Sequence, residues 1–312
     1  MEDPARTIRE DTYDFLGHRV IVRSNSPEVR DHLGSVYAYF LRRRDSSSAA
    51  AHGSDQSPHV ITVIDDIATS RQLLLSDKFH SYHLWCKDVW NFDWDRYRAS
   101  TVPDPLTYVQ WMVLTSVSLL AQDYHLFHAG SVSWNGKGMI FPAASGRGKT
   151  TLTLKLATRG FKFLSDEVAC IRPDCQTVEP FFRKLNLSEE SRRLIGLPEW
   201  SESAPRTRRT REWVLDVADV SPGSYGAISP LDWIVFLEAF GDEPRVKGLA
   251  PSDALLKLFT FSLSPVNNPA AMLYEFAPLF TKVRCVSLTV GNLEDTTNLL
   301  RDLAEEKISA SL

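Results

Sequence analysis

The chain has 312 residues, 43% of them hydrophobic and 11% aromatic, which is enough for more than one folded core. Its 35 basic and 39 acidic side chains leave a formal charge of −4, so no global basic footprint marks a nucleic-acid binder. The four cysteines, Cys86, Cys170, Cys175 and Cys285, form no C-x-x-C pair, a usage that argues against a disulfide scaffold and predicts buried thiols in a reducing compartment.

The start, MEDPARTIREDTYD, is acidic and polar and shows no basic-then-apolar leader. The longest apolar-rich run, residues 108–122, is shorter than the roughly 20 residues a membrane span needs. The expectation is a soluble, cytoplasmic protein with neither membrane nor nucleic acid as partner; a homo-oligomer is left open.

In chain order, HRVIVRSN (residues 18–25) predicts a strand, and Ser26-Pro27 predicts the cap and first residue of a helix. Residues 44–58, rich in Ser, Ala, Gly and Asp, predict a mobile loop. Strands are expected at 59–65 and 71–77, and Trp85, Trp90 and Trp94 read as filling a core or domain seam in preference to stacking on a ligand ring. The Pro-rich TVPDP marks a boundary, giving a small α/β domain over 1–105 and a larger domain over 106–312.

Residues 106–121 are apolar on nearly every face, as in a helix buried within the larger domain. YHLFHAGSVSW and GKGMIFP predict two strands around the turn Asn135-Gly136. KTTLTLKLATRG then predicts a helix with Leu152 and Leu156 one turn apart and Gly160 as its stop, and FKFLS predicts the next strand. Cys170 and Cys175 flank Arg172-Pro173-Asp174 and could meet across a hairpin, although the pattern does not call for a bridge.

Between these strand and helix signals, Ala143-Ala144-Ser145-Gly146-Arg147-Gly148-Lys149-Thr150 fits G-x-x-x-x-G-K-[ST] with Ala143 in place of the first glycine. Gly146 and Gly148 supply the permissive backbone for a nest of N–H groups, and the following helix aims its positive end at the same place. Phosphates of ATP would lie along these residues and Thr151. Lys149 would reach the β- and γ-phosphates, and the Thr150 hydroxyl would join the coordination of Mg2+.

What stands opposite the terminal phosphate decides the chemistry. Asp166-Glu167 follows the strand FKFLS directly, so both carboxylates are expected at a carboxyl end of the sheet beside the loop. Such a pair can divide its work, one carboxylate accepting a proton and the other holding metal. His128 ends a strand segment upstream, where a hairpin return could bring it to the loop. The spacings His80-x-x-His83 and His125-x-x-His128 fall in strand-like text, where partners three apart face different ways, so no metal site is read from them. Arg183, Lys184, Arg206, Arg208, Arg209 and Arg211 are candidates to meet phosphate or an acidic substrate.

Taken in order, HAG, SGRGKTT and SDE resemble the pattern of the HPr kinase/phosphorylase family, most closely its shorter HPr kinase-like serine kinases. The likeness extends through PLDWIVFLEAF, LAPSDALLKLFTFSL and VRCVSLTVGNLEDTTNLLRDL, and covers residues 106–303 best. It implies a mixed α/β nucleotide domain of the HPr kinase and phosphoenolpyruvate carboxykinase type. It further implies Asp166 as proton acceptor, Glu167 near the metal and His128 near the γ-phosphate, with phosphate passing from ATP to a serine-like hydroxyl of a peptide, protein or small metabolite. The chain lacks the E-x-R-G segment and the P-G-R-N-like loop of the bifunctional enzymes. The alternative is a nucleotide-binding regulatory or assembly module with little or no transfer. A transporter-type ATPase would need an L-S-G-G-Q-like signature, which is not found.

Overall fold

The structure is a computed structural model that describes residues 7–42, 59–66, 72–77, 97–98, 105–174, 176–200, 212–264 and 269–308. The mobile loop expected at 44–58, the three tryptophans, His80, His83, Cys86 and Cys175 lie outside the described residues, as do Arg206, Arg208, Arg209 and Arg211. Packing separates two units, Met1–Gln122 and Asp123–Leu312.

The first unit holds a sheet of β1 (Arg9–Phe15), β2 (His18–Ser24), β3 (His59–Asp66), β4 (Gln72–Asp77) and β5 (Tyr97–Arg98), in that order. Helix α1 (Pro27–Val36) links β2 to its parallel neighbour β3 and starts as the sequence predicts, with Ser26 Oγ accepting from Val29 N and proline in the first turn. Strand β1 was not foreseen. Only Tyr13 and Phe15 of its residues are buried, and its acidic side chains pair with basic ones, Glu10 with Arg23, Asp11 with Arg30 and Asp14 with Arg42. Its polar residues thus serve ion pairs with β2, α1 and Arg42, and only two apolar residues remain to signal a strand.

Helix α2 (Pro105–Leu120) packs on β2, β3 and α1, and the chain divides after Gln122, not at Pro105. Apolar coverage on every face predicted burial correctly, since Val109, Val113 and Val117 are nearly inaccessible. Burial alone does not say against which sheet a helix packs. With 16 residues it is not a membrane span, and among the described residues no helix is long and apolar enough to be one.

The second unit is mixed α/β around a large sheet. Strands β6 (His125–Trp134) and β7 (Lys137–Pro142) form the expected hairpin, with Asn135 at φ 49° and Gly136 at φ 79° as a two-residue turn of this kind requires. Helix α3 (Lys149–Thr158) follows, then β8 (Lys162–Ser165), β9 (Val168–Arg172), β10 (Thr177–Glu179), β11 (Leu185–Leu187), α4 (Glu189–Ile195), β12 (Trp213–Leu215) and α5 (Val217–Val220). The remainder is β13 (Ser229–Phe240), β14 (Arg245–Gly248), α6 (Pro251–Phe259), α7 (Pro269–Phe280), β15 (Arg284–Val290) and α8 (Leu293–Ala304).

The sheet runs β10-β9-β6-β7-β13-β15-β14, with β8 also on β6. Strands β7, β13 and β15 are parallel, while β6 is antiparallel to β7, β8 and β9. β7, β8, β13 and β15 thus all end at one edge of the sheet. Alternation along β13 divides the core: Trp233, Val235 and Leu237 pack with Leu152, Leu156 and Leu300 of α3 and α8, whereas Ile234 and Phe236 pack with Leu258 and Phe276 of α6 and α7. Helix α3 ends at Gly160, φ 94°, with Phe161 N donating to Leu156 O and Gly160 N to Ala157 O, the paired bonds of a Schellman stop.

Candidate active site

The turn between β7 and α3 is the first component. Ala143 is buried and residues 144–147 are exposed, so the chain leaves the sheet and returns at Gly148, the helix N-cap. Gly146 (φ 77°) and Gly148 (φ 79°) occupy the left-handed region that glycine tolerates. No side chain caps Gly148, so the N–H groups of the first turn face the loop without a side-chain acceptor.

Lys149, 6% exposed, donates from Nζ to the carbonyls of Ala143 (2.9 Å) and Ala144 (3.1 Å). Burial holds its pKa below the ordinary lysine value, against the opposing pull of Glu167 and Asp166. Next to it, Thr150 Oγ1 donates to Asp166 Oδ2 at 2.9 Å. One residue on, Thr151 Oγ1 donates to Ser191 Oγ at 2.7 Å, tying α3 to the start of α4, where Ser188 Oγ accepts from Ser191 N.

The carboxylate pair leaves the end of β8. Arg183 grips both members: Nε donates to Asp166 Oδ1 (3.1 Å), and Nη2 donates to Asp166 Oδ2 (3.0 Å) and Glu167 Oε2 (2.7 Å). The side chains of Asp166 and Arg183 are 0% and 6% exposed, against 32% for Glu167. Burial pushes the Asp166 carboxyl above the ordinary value, and Arg183 and Thr150 pull it back only in part. For Glu167 burial is again the largest single influence, but Arg183, His128 and Lys149 together outweigh it, so its pKa lies below the usual value.

His128 stands opposite Val168 across the β6–β9 ladder, which places its Nε2 3.5 Å from Glu167 Oε1. Burial first, then Lys149, lowers its pKa and favours the neutral ring at neutral pH. His125, three residues earlier, instead meets Glu275 at 2.9 Å, as strand alternation requires.

Lys149, Thr150, Asp166, Glu167, Arg183 and His128, singled out from separate stretches of sequence, therefore form one contiguous cluster. Lys184 does not join it: burial alternates from Phe181 to Leu185 and leaves Lys184 on the less buried side. Cys170 and Cys285 are buried free thiols, and burial raises Cys285 to about 12, so neither is a nucleophile at neutral pH.

Three features escaped the sequence reading. Gly130 lets β6 lie against α3, because a Cβ there would come 2.6 Å from Thr153 Cγ2. Ser191 belongs to a visible cap pattern, SEES, but its bond to Thr151 is long-range. Phe240, at the end of β13, is 60% exposed although its ring lies 3.6 Å from where a Gly148 Cβ would be. An aromatic residue followed by Gly-Asp at a strand end was the available signal.

No protein-family model matches the chain, and no curated protein matches it. Among solved structures it is similar to the Hpr(Ser) kinase/phosphatase from Coxiella burnetii, with a TM-score of 0.32 and 10% identity over 58% of this chain and 89% of that one. A likeness that distant decides nothing about activity.

Proposed function

We propose that the protein is an ATP- and Mg2+-dependent kinase that transfers the γ-phosphate to a serine-like hydroxyl of a peptide, protein or small metabolite. The observation that carries this reading is the Thr150–Asp166 hydrogen bond. It joins the first turn of the helix after the glycine turn to a buried carboxylate, so a phosphate-binding loop and an acid-base group would share one site.

Triphosphate would lie on the P-loop, residues 143–151, against the uncapped N–H groups of α3. Lys149 would exchange its two carbonyl acceptors for phosphate oxygens. The donor set fits Mg2+, which takes one or two carboxylates with hydroxyl, phosphate and water oxygens. Thr150 and Glu167 would hold it, Glu167 being the carboxylate whose lowered pKa keeps it ionised. Bound there, Mg2+ would neutralise developing phosphate charge.

Asp166 is the better proton acceptor of the two, because its raised pKa gives it the greater affinity for a proton. Its Oδ2 can stay with Thr150. Its Oδ1 becomes available when Arg183 turns from the carboxylates to the anionic terminal phosphate, and Arg183 then stabilises the transferred group. The acceptor O–H proton would pass to Asp166 Oδ1, the acceptor oxygen would bond to the γ-phosphorus, and the bond from that phosphorus to the β-phosphate oxygen would break, releasing ADP. Neutral His128 would keep Glu167 oriented without adding a charge.

A second reading, a nucleotide-binding regulatory or assembly module, is favoured by the same clamp, since an Arg183 that never moves leaves Asp166 without a free oxygen. Incubation with γ-labelled ATP, Mg2+ and pools of hydroxyl-bearing peptides or metabolites separates them. The kinase reading expects label on a hydroxyl with the parent protein and none with Lys149→Ala. Retained nucleotide with no label transferred would overturn it.

A further inference from the structure

Beside the glycine turn, on the side away from the carboxylates, lies a cavity of about 630 Å³. Its walls come from Gly146 and Gly148 of the turn, Thr151 and Leu152 of α3, Leu194 of α4, Phe240 at the end of β13, and the β15–α8 connection from Val290 to Glu294. The size falls within the roughly 300–1,000 Å³ common for small-molecule sites. We infer that this cavity receives the nucleoside end of the phosphate donor, with the Phe240 ring against the base. This rests on the proposed binding of phosphate at the turn and extends it.

Sheet order places the cavity. β7 carries the turn; on one side stand β6, β8 and β9 with His128, Asp166 and Glu167, and on the other stand β13 and β15. Ile234 pairs with Ile140, so Phe240, six residues further along β13, reaches past Pro142 to the level of the turn. A phosphate chain laid on the turn with its terminal group at Asp166 therefore directs its other end toward Phe240. Open α/β sheets bind ligands beyond the carboxyl ends of parallel strands in this way.

The wall sets two cations, Arg147 and Lys155, and two carboxylates, Glu190 and Glu294, around large apolar side chains, a mixed lining that suits a flat ring with hydroxyls. Two large apolar side chains that line the cavity are exposed, Phe240 at 60% and Leu194 at 58%, an apolar surface that a base would cover. The Glu190 carboxylate on the same wall can accept from ribose hydroxyls and would repel phosphate. The Glu294 carboxylate is held by Lys155 (3.2 Å) and Arg159 (2.5 Å), which fixes that side of the cavity.

The test compares two probes on the full chain by calorimetry: Mg2+-ATP, and Mg2+-tripolyphosphate, which carries a like phosphate chain without nucleoside. The parent is expected to bind ATP more tightly. Phe240→Ala and Leu194→Ser should each weaken ATP, Phe240→Ala by roughly tenfold as for loss of a stacked base, and leave tripolyphosphate binding unchanged. Equal affinity of the parent for both probes, unchanged ATP binding in Phe240→Ala, or a parallel loss of both probes would overturn the assignment while leaving the phosphate site standing. A parent that binds neither probe would overturn the phosphate reading and this one together.

Discussion

Arg183 and Asp166 form a two-point ion pair, Nε to Oδ1 at 3.1 Å and Nη2 to Oδ2 at 3.0 Å, with both side chains almost wholly buried. The same guanidinium reaches Glu167, so one cation balances two neighbouring carboxylates. This single side chain occupies both carboxylate oxygens of Asp166 and one of Glu167.

Arg183→Ala should therefore destabilise the protein strongly. Removing one partner of a buried pair typically costs about 3–5 kcal/mol, because the remaining charge is left unpaired. Urea denaturation should show a loss of that order, and Asp166→Asn combined with Arg183→Ala should lose less than the two changes summed. A loss under about 1 kcal/mol, the range of an exposed pair, would mean that the clamp does not hold in solution.

His128 gives the pH dependence. Its folded pKa lies below the unfolded value of about 6.5, so the unfolded chain binds the proton more readily. The stabilisation from keeping His128 neutral is complete above the unfolded pKa and is lost as pH falls through the folded one. Comparing urea stability at neutral and mildly acidic pH, the parent should lose more on acidification than His128→Gln. Equal losses would show that His128 does not titrate in this way.

Gly130→Ala should push α3 away from β6, since the added methyl would sit 2.6 Å from Thr153 Cγ2. Overpacking of this kind costs about 1–3 kcal/mol. Thr153→Ser removes that methyl and keeps the hydroxyl that donates to Lys149 O, so it should restore most of the loss. If the second change restores nothing, the glycine is required for another reason.

The parts of the molecule that local chemistry dictates were legible in the sequence. Asn135-Gly136, Ser26-Pro27 and Gly160 each impose a backbone conformation on their immediate neighbours, and each sits where that conformation is used. The glycine turn and the Asp166-Glu167 step were visible because strand, turn and helix follow one another without interruption. Arg183 was only one candidate among several basic residues. Its role depends on a bond across 17 positions from an irregular segment, and no periodicity signals that. Phe240 looked like a strand residue because its exposure follows from where β7 stops, a matter of register between strands about a hundred residues apart. The division after Gln122 was hidden for a related reason: apolar content marks α2 as buried without naming the sheet that buries it.

The central claim is that Asp166 handles a proton and does not merely anchor the loop. Asp166→Asn keeps the shape and a carbonyl oxygen for Thr150 but removes the basic oxygen. Two quantities should be measured on it, the rate of phosphate transfer from Mg2+-ATP to an accepted hydroxyl and the dissociation constant for Mg2+-ATP. A proton acceptor predicts transfer lower by roughly 10²- to 10⁴-fold with nucleotide affinity changed far less. Transfer near the parent rate, or a parallel collapse of affinity and rate, would contradict that role and leave Asp166 as a scaffold for Thr150 and Arg183.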